Sequence, residues 1–156
     1  MAKSKSIFSN NISVRNKQAS FHYELLEKHV CGIVLTGTEI KSVRMGKVAL
    51  QDSHCFFSNG ELYMRGLRIS PYGFASFKNH DPDREKKLLL KKNELVKLEK
   101  KVKEKGLTIA PVRFFINDRG LAKAEIALAR GKKVFDKRES LKEKDQKRDI
   151  QRNSRL

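Results

Sequence analysis

Polar and apolar residues alternate along the chain between positions 121 and 130. Apolar side chains occupy the even positions from Ala122 to Leu128, whereas Lys123 and Glu125 fall on the other face of a two-residue period. This alternation predicts a half-buried β-strand. It stops at Gly131, and the 26 residues from there to the C-terminus hold few large apolar side chains. Because such a segment cannot build a core, we expect it to be disordered in the free protein.

A two-residue turn sequence gives the strongest hairpin signal. Asn59-Gly60 has the chemistry of a tight β-turn, and it predicts a hairpin between residues 48–58 and 61–69. Upstream, residues 16–19 lead into a run through His22 to Leu35 that is rich in β-formers and is broken at Gly32. We expect one long bent strand there.

A second hairpin is predicted near the end of the compact part of the chain. Residues 117–120 read Asn-Asp-Arg-Gly and join an apolar run at 107–116 to the alternating strand at 121–130. Pro111 lies inside the first of these strands. Since proline cannot donate to a strand ladder, Pro111 predicts a bulge or a sheet edge.

Two segments carry helix signals. Thr36 and Glu39 have the spacing of a capping box, and Gly46 can end the short helix that follows. This helix is expected to direct four charges mainly toward solvent, namely Glu39, Lys41, Arg44 and Lys47. A longer helix is predicted at 94–105, capped by Asn93 and followed by a glycine. Its inward residues are Leu95, Leu98 and Val102.

Residues 70–87 contain two prolines and a glycine and predict a long loop. The loop offers Tyr72, Phe74 and Phe77 for docking or for base stacking, and we expect at least one of them to pack in the core. Taken together, the elements predict a mainly β protein with short helices, built as a small closed antiparallel β-barrel of the OB type. The expected organisation is a flexible arm at 1–13, the barrel at 14–130 and a basic tail at 131–156.

The charge of the chain indicates a polyanionic partner. The formal net charge is +17 and the isoelectric point is about 10.1. The tail holds ten Lys or Arg and five Asp or Glu, so it contributes +5 and residues 1–130 contribute the remaining +12. Self-repulsion of this size opposes folding, which makes nucleic acid the first expectation. The sequence contains neither a transmembrane run nor the apolar centre of a signal peptide, so we expect a cytosolic protein.

The remaining candidate chemistry is sparse. Cys31 and Cys55 lack a second ligand at metal-binding spacing and are interpreted as reduced core residues. His22, His54 and a lysine are the components from which an RNA-cleaving site is conceivable. The sequence contains no P-loop, dinucleotide glycine motif or nucleophile elbow. A general RNA- or ribosome-binding protein of the OB type remains a second alternative.

A set of short motifs spread over nearly the whole chain resembles the SmpB family, the SsrA-binding proteins that accompany tmRNA in bacterial trans-translation. The motifs are Asn16, Lys17 and Ala19; Gly32-Ile33; Gly37-Thr38-Glu39-Ile40-Lys41-Ser42; Arg44 and Gly46; Asp52-Ser53; Gly60-Glu61; Ile69 and Pro71-Tyr72; Lys87-Leu88-Leu89-Leu90; and Gly131-Lys132-Lys133 with Asp136-Lys137-Arg138. Each motif is weak alone, but their order and intervals are specific.

The resemblance implies an OB-like barrel that binds the tRNA-like domain of tmRNA and a tail that enters the decoding region and vacant mRNA channel of the ribosome. It implies small-subunit rRNA and elongation factor Tu as further partners, no cofactor and no chemistry. The implied tmRNA-facing or supporting residues are Asn16, Lys17, Tyr23, Glu39, Lys41, Arg44, Leu89 and Lys123. The implied ribosome-facing residues are Lys132, Lys133, Phe135, Asp136, Lys137 and Arg138.

This chain departs from the family pattern at two positions. His29-Val30-Cys31-Gly32 stands where the family usually has an aromatic residue followed by Glu-Ala-Gly, so the usual glutamate contact does not transfer to Val30. Lys91 stands where relatives often have His or Asn. In the alternating strand, we expect Lys123 to contact RNA and Glu125 to orient a neighbouring cation. The tail is expected to become helical on the ribosome, since several of its opposite charges are three or four residues apart.

Overall fold

The computed structural model describes residues 11–75, 78–132 and 134–153; of the last range it describes the side chains of Arg138 and of residues 141–152 only. Phe77, Lys133 and the side chains of Phe135, Asp136 and Lys137 therefore lie outside the described part. In order, the elements are β1 (Ser13–Arg15), α1 (Ala19–His22), β2 (Tyr23–Ile33), α2 (Gly37–Arg44), β3 (Val48–Ala49), β4 (His54–Ser58), β5 (Glu61–Arg65), β6 (Arg68–Ile69), β7 (Lys86–Leu89), α3 (Lys92–Lys105), β8 (Thr108–Ile116), β9 (Ala122–Gly131) and α4 (Val134–Asn153).

Seven of these strands form one antiparallel sheet in the order β1-β8-β9-β2-β7-β5-β4, and β3 pairs with β6 in a separate small sheet. The architecture is mainly antiparallel β with short helices, which confirms the predicted OB-like class. The prediction of a closed barrel is wrong in one respect. Strands β1 and β4 stand at opposite ends of the strand order, so hydrogen bonds do not close the sheet. The sheet curves instead, and β4 lies against β8.

The core packs against one face of this sheet. Cys31 of β2, Ala124 of β9 and Phe114 of β8 are cross-strand neighbours, and all three are buried. The predicted alternation holds for the first half of β9, where Lys123 and Glu125 remain partly exposed. From Ile126 to Ala129 every residue of the strand is buried. Each large aliphatic or aromatic side chain buried here contributes roughly 1.5–3 kcal/mol.

The expected long strand forms as β2, and residues 19–22 ahead of it form the helical turn α1. Between β1 and α1 lies Asn16, whose backbone N–H donates to the carbonyl of Val112 and whose side-chain amide donates to the carbonyl of Pro111. These bonds fix the chain against β8 while residues 19–22 make one helical turn. A register shift between Leu25 and Glu27 then bends β2, which confirms the predicted bend.

Both predicted hairpins form. Asn59 and Gly60 have φ values of 51° and 76°, which suit a type I′ turn between β4 and β5. This hairpin is shorter than expected, because residues 48–49 and 68–69 pair separately as β3 and β6. In the β8–β9 hairpin, the register shifts between Pro111 and Arg113, which confirms the predicted bulge.

The two predicted helices form, with one correction to a cap. Thr36 and Glu39 form both hydrogen bonds of a capping box at the start of α2. Helix α3 begins at Lys92 with Lys91 in the cap position, so the assignment of Asn93 as the cap is wrong. Gly106 ends α3 at φ 62°. The predicted loop at 70–87 ends two residues early, because β7 begins at Lys86 and pairs with β2 and β5.

Candidate nucleic-acid interface

Glu39 is fully buried, which corrects the expectation that α2 directs it toward solvent. Its Oε1 accepts hydrogen bonds from Arg84 Nε at 3.2 Å and Arg84 Nη2 at 2.6 Å, and from the backbone N–H of Thr36 at 2.8 Å. Its Oε2 lies 3.7 Å from Nζ of Lys86, which is itself fully buried. Lys86 donates to the carbonyl of Leu67 at 2.7 Å. Glu39 therefore links the buried side of α2 to Arg84 and to Lys86 of β7.

The environment of Glu39 favours its charged form. Burial alone would raise the pKa of this carboxyl group, but the hydrogen bonds from Arg84 and Thr36, together with the charges of Arg84 and Lys86, outweigh burial and lower the pKa below its ordinary value of 4.5. Burial lowers the pKa of Lys86, and Glu39 opposes that effect. The pair ties α2 to β7 through an ionised contact.

The outward side of α2 carries the two predicted cations. Lys41 is exposed, and its Nζ lies 5.4 Å from the centroid of the Tyr72 ring. Tyr72 also makes an edge contact with Phe74, which is 70% exposed, so Phe74 does not pack in the core. Arg44 is half-buried, and its Nε is buried without a hydrogen-bond partner among the described residues. Lys41 is thus the more accessible cation.

Asn16, Lys17 and Tyr23 meet at the corner where α1 joins β2. Asn16 and Tyr23 line a cavity of about 520 Å³, and Asn16 and Lys17 line an adjacent one of about 270 Å³. The larger cavity is also lined by His22 and His54 but by no lysine among the described residues. The three groups of the conceived RNA-cleaving site are therefore not assembled there.

Leu89 and Lys123 lie on the outer face of the sheet, on opposite sides of Gly32 of β2. Gly32 is the cross-strand neighbour of both residues. A Cβ at Gly32 would approach the Cβ of Leu89 at 3.3 Å, so Leu89, which is 52% exposed, leans over the glycine. We call this the outer face; it consists of Arg15, Lys28, Val30, Leu89, Arg113, Phe115, Lys123 and Glu125.

Sequence reasoning missed Arg113 and Phe115 on the outer face. Phe115 is the neighbour of Lys123, and Arg113 is the neighbour of Glu125. Their outward direction depends on the bulge between Pro111 and Arg113, because a shift of one residue exchanges the two faces of a strand. Pro111 predicted the bulge, but the sequence did not show which residues of β8 point outward because of it.

The tail starts from a fixed point on the barrel. Strand β9 continues through Gly131, and the N–H of Lys132 donates to the carbonyl of His22 at 2.9 Å. The next described residues form α4, in which the Arg138 side chain is exposed. Helix α4 meets α1, where Lys144 Nζ lies 5.7 Å from the Phe21 ring centroid. A groove of about 440 Å³ at this junction is lined by five cations, Arg15, Lys17, Lys28, Lys144 and Arg148.

The described residues provide no conspicuous metal or redox chemistry. Among them, no group of three or more His, Cys, Asp or Glu side chains is arranged to hold a metal ion. Cys31 and Cys55 are buried free thiols, as expected. Burial raises the pKa of the Cys31 thiol to about 12, so it stays protonated near neutral pH. No helix in the described ranges has both the length and the apolar character to cross a membrane.

Comparisons with known proteins agree with these features. The SsrA-binding protein of Cytophaga hutchinsonii is 56% identical over 142 residues, which are 91% of this chain and 93% of that protein. The SsrA-binding protein of Phocaeicola vulgatus is 55% identical over 141 residues, which are 90% of this chain and 94% of that protein. A solved structure described as "tmRNA-SmpB: a journey to the center of the bacterial ribosome" has a TM-score of 0.64 and 48% identity, and the match covers 78% of this chain and 85% of that one.

The family model described as SmpB protein matches residues 13–156, which include the sheet, the interposed helices and the tail. The match agrees with the motifs found along the sequence and with the OB-like arrangement of the strands. The chain therefore belongs to the SmpB family.

Proposed function

We propose that this protein is a tmRNA-binding adaptor of trans-translation that delivers alanyl-tmRNA to stalled ribosomes. The match to the SmpB family across both the barrel and the tail carries this proposal. The barrel binds the tRNA-like domain of tmRNA, elongation factor Tu joins the delivery complex, and small-subunit rRNA at the decoding region receives the tail. These steps belong to the cytoplasm, where ribosomes translate.

Three groups of residues are proposed to contact or support tmRNA. They are Asn16, Lys17 and Tyr23 at the cavities; Lys41 and Arg44 on α2, with Glu39 beneath them; and Leu89 and Lys123 on the outer face. The cations displace counterions from RNA phosphates, which supplies affinity. The rigid sheet holds the three groups at fixed separations, and the shape of a folded RNA is recognised through such separations.

The tail is proposed to test whether the mRNA channel is vacant. Leu141 and Ile150 of α4 are 49% and 68% exposed, so this helix buries little apolar surface on the barrel. Ordering a residue costs about 1–2 kcal/mol, and a charge pair within a helix returns only about 0.2–0.5 kcal/mol. Ribosomal RNA supplies the missing surface, contacted by Lys132, Lys133, Phe135, Asp136, Lys137 and Arg138. An mRNA in the channel excludes the tail sterically.

A general RNA- or ribosome-binding protein is the second candidate, because the net charge of +17 attracts any RNA. Competition distinguishes the two. Labelled tmRNA is bound to the purified protein, and unlabelled tRNA or tmRNA is added at equal ionic strength. If the protein is a selective adaptor, unlabelled tmRNA displaces the labelled tmRNA at a much lower concentration than unlabelled tRNA does. Equal competition would overturn the adaptor proposal and leave the general RNA binder.

A further inference from the structure

We propose that Arg113 and Phe115 form a stacking platform for one unpaired base of the bound RNA, beside the phosphate contact of Lys123. This inference rests on the proposed function and adds a type of contact that the function does not specify. Its ligand is a nucleotide whose base is splayed out of a helix, because only such a base presents a free planar face to a protein surface.

The strand register brings the platform together. Lys123 of β9 is the neighbour of Phe115 of β8, and Phe115 is the neighbour of Ser13 of β1. The preceding residue, Phe114, is fully buried on the opposite face. Because side chains alternate along a strand, Phe115 points away from the core and is half-buried on the outer face.

Two contacts hold the Arg113 guanidinium in place. Its central carbon lies 4.2 Å from the centroid of the Phe115 ring, and its Nε donates to Oγ of Ser13 at 2.9 Å. The side chain is therefore ordered before any ligand arrives, which reduces the entropy lost on binding. One side of the guanidinium covers the phenyl ring, and its other side is the surface on which a base stacks.

A second arginine–aromatic pair in the molecule shows what distinguishes this one. The central carbon of Arg65 lies 4.7 Å from the centroid of the Phe56 ring. The charge of Arg65 is satisfied by Glu85, which accepts from Arg65 Nε at 2.8 Å and also from Nη2. The carboxylate across from Arg113 is that of Glu125, which is 3.9 Å from Lys28 Nζ; within the described ranges Arg113 itself forms no ion pair, so its charge remains available to a nucleic acid.

The surroundings of the platform suit RNA better than a protein segment. Arg15 is the cross-strand neighbour of Arg113, and Lys123 is that of Phe115, so this part of the outer face combines three cations with one aromatic ring. The acidic residue of this face, Glu125, lies 3.9 Å from Lys28 Nζ. Cations around a stacking surface are the features shared by proteins that bind unpaired nucleotides.

The decisive variant is Arg113→Lys, because it keeps the positive charge and removes the planar group. Its affinity for the isolated tRNA-like domain of tmRNA is measured at several salt concentrations. We expect a loss of about fivefold to a hundredfold, which corresponds to one stacked base, with the salt dependence unchanged. An affinity within twofold of the wild-type value would overturn the platform. Such a result leaves the adaptor function intact, since the wild-type protein would still select tmRNA.

Phe115→Leu provides the second arm and should weaken binding similarly, because leucine keeps apolar volume without a ring. Arg65→Lys and Phe56→Leu are the matched controls and should bind as the wild-type protein does. Equal losses in both pairs would overturn the proposal, since they would indicate a general effect of such changes. Melting temperatures of all four variants establish that the fold is retained.

Ultraviolet cross-linking of the wild-type complex tests the platform without any substitution. We expect a nucleotide adduct on the peptide that contains Arg113 and Phe115. Adducts confined to other peptides would contradict the proposal. If the Arg113→Lys protein binds RNA normally but loses a protein partner of the delivery complex, the outer face is a protein-docking surface and the RNA platform is overturned.

Discussion

Glu39 is a charged side chain that the fold removes from solvent entirely. Its partner Arg84 is 45 positions away in the sequence, and its other partner, Lys86, belongs to a strand that local sequence does not predict. Glu39 therefore affects α2 from inside the molecule. Lys41 and Arg44 present their charges on the opposite side of the same helix, so the cations and their support belong to one unit.

We expect Glu39→Gln to lower the free energy of unfolding by about 3–5 kcal/mol, because it removes one partner from a buried charge pair and leaves Lys86 uncompensated. Urea unfolding at neutral pH measures the change. Glu24→Gln is the control, since the pair of Glu24 with Arg130 is 58% and 61% exposed and is worth at most about 1 kcal/mol. Equal effects of the two substitutions would show that the buried network does not stabilise the fold.

The same substitution makes a prediction about pH. The pKa of Glu39 is lower in the folded protein than its ordinary value of 4.5, so the charged carboxylate contributes stability that is fully present above pH 4.5 and is lost as the pH falls below it. The difference in unfolding free energy between the wild-type protein and Glu39→Gln should therefore shrink with acidification below pH 4.5. A difference that is constant down to pH 3 would contradict the assigned direction of the shift.

Replacing either Lys41 or Arg44 with alanine is expected to weaken tmRNA binding. For Lys41, which is exposed and suited to a simple phosphate contact, the magnitude of the logarithmic salt slope should fall by about 1. Lys105→Ala, at the exposed end of α3, is a control that removes the same charge elsewhere. Unchanged affinity and slope in the Lys41→Ala, Arg44→Ala double variant would exclude α2 from the interface.

At the scale of elements, the pattern predicts structure where the determining interactions are local. The turn at Asn59-Gly60, the capping box of α2 and the bulge at Pro111 each depend on a few consecutive residues, and each is confirmed. Strand β7 is different, because it lacks an alternating pattern and becomes a strand by pairing with β2 and β5 on either side. Similarly, Phe115 comes to lie beside Lys123 only through the register of β8 and β9.

Gly66 illustrates a local requirement that comes from a distant contact. It has a φ of +84°, and a Cβ there would lie 2.7 Å from the carbonyl oxygen of Asp52. We expect Gly66→Ala to destabilise the protein by about 2–5 kcal/mol, through both the left-handed backbone and the clash. Gly60→Ala is the control for backbone strain alone, since Gly60 has a φ of +76° and open space around it; its cost should be about 1–2 kcal/mol. Equal melting temperatures for the two variants would contradict the clash.

At the scale of the whole molecule, the charge is divided between a rigid body and a helix that buries little of its own surface. The family match covers both, but the arrangement of α4 against α1 was not predictable from sequence, because its opposing surfaces are polar and mostly of like charge. The prediction that residues 131–156 are disordered in the free protein stays a prediction. The first residues of this range nevertheless belong to the sheet region, because β9 ends at Gly131 and Lys132 bonds to His22.

A chain that ends at Lys132 should keep the fold and most of its tmRNA binding, yet fail to support transfer of the stalled peptide to tmRNA. A reconstituted stalled-ribosome assay measures the transfer. Gln146→Pro is a more specific variant, because it retains every charge of the tail and interrupts α4. It should also fail. Normal transfer by the truncated chain would refute the role of the tail, and normal transfer by Gln146→Pro alone would show that charge suffices without a continuous helix.

The hydrogen bond between the N–H of Lys132 and the carbonyl of His22 fixes the start of the tail to the rest of the protein. Helix α4 has 20 residues and is therefore about 30 Å long, and it starts two residues beyond that bond. Because this bond fixes the start of α4 to the sheet, the number of residues in α4 sets the distance between that start and the end of the helix. Substitutions within α4 change the contacts of its C-terminal end, whereas insertions near Lys132 change the position of that end. Under the proposed function, the length of α4 therefore sets how far from the sheet its last described turn can make contacts.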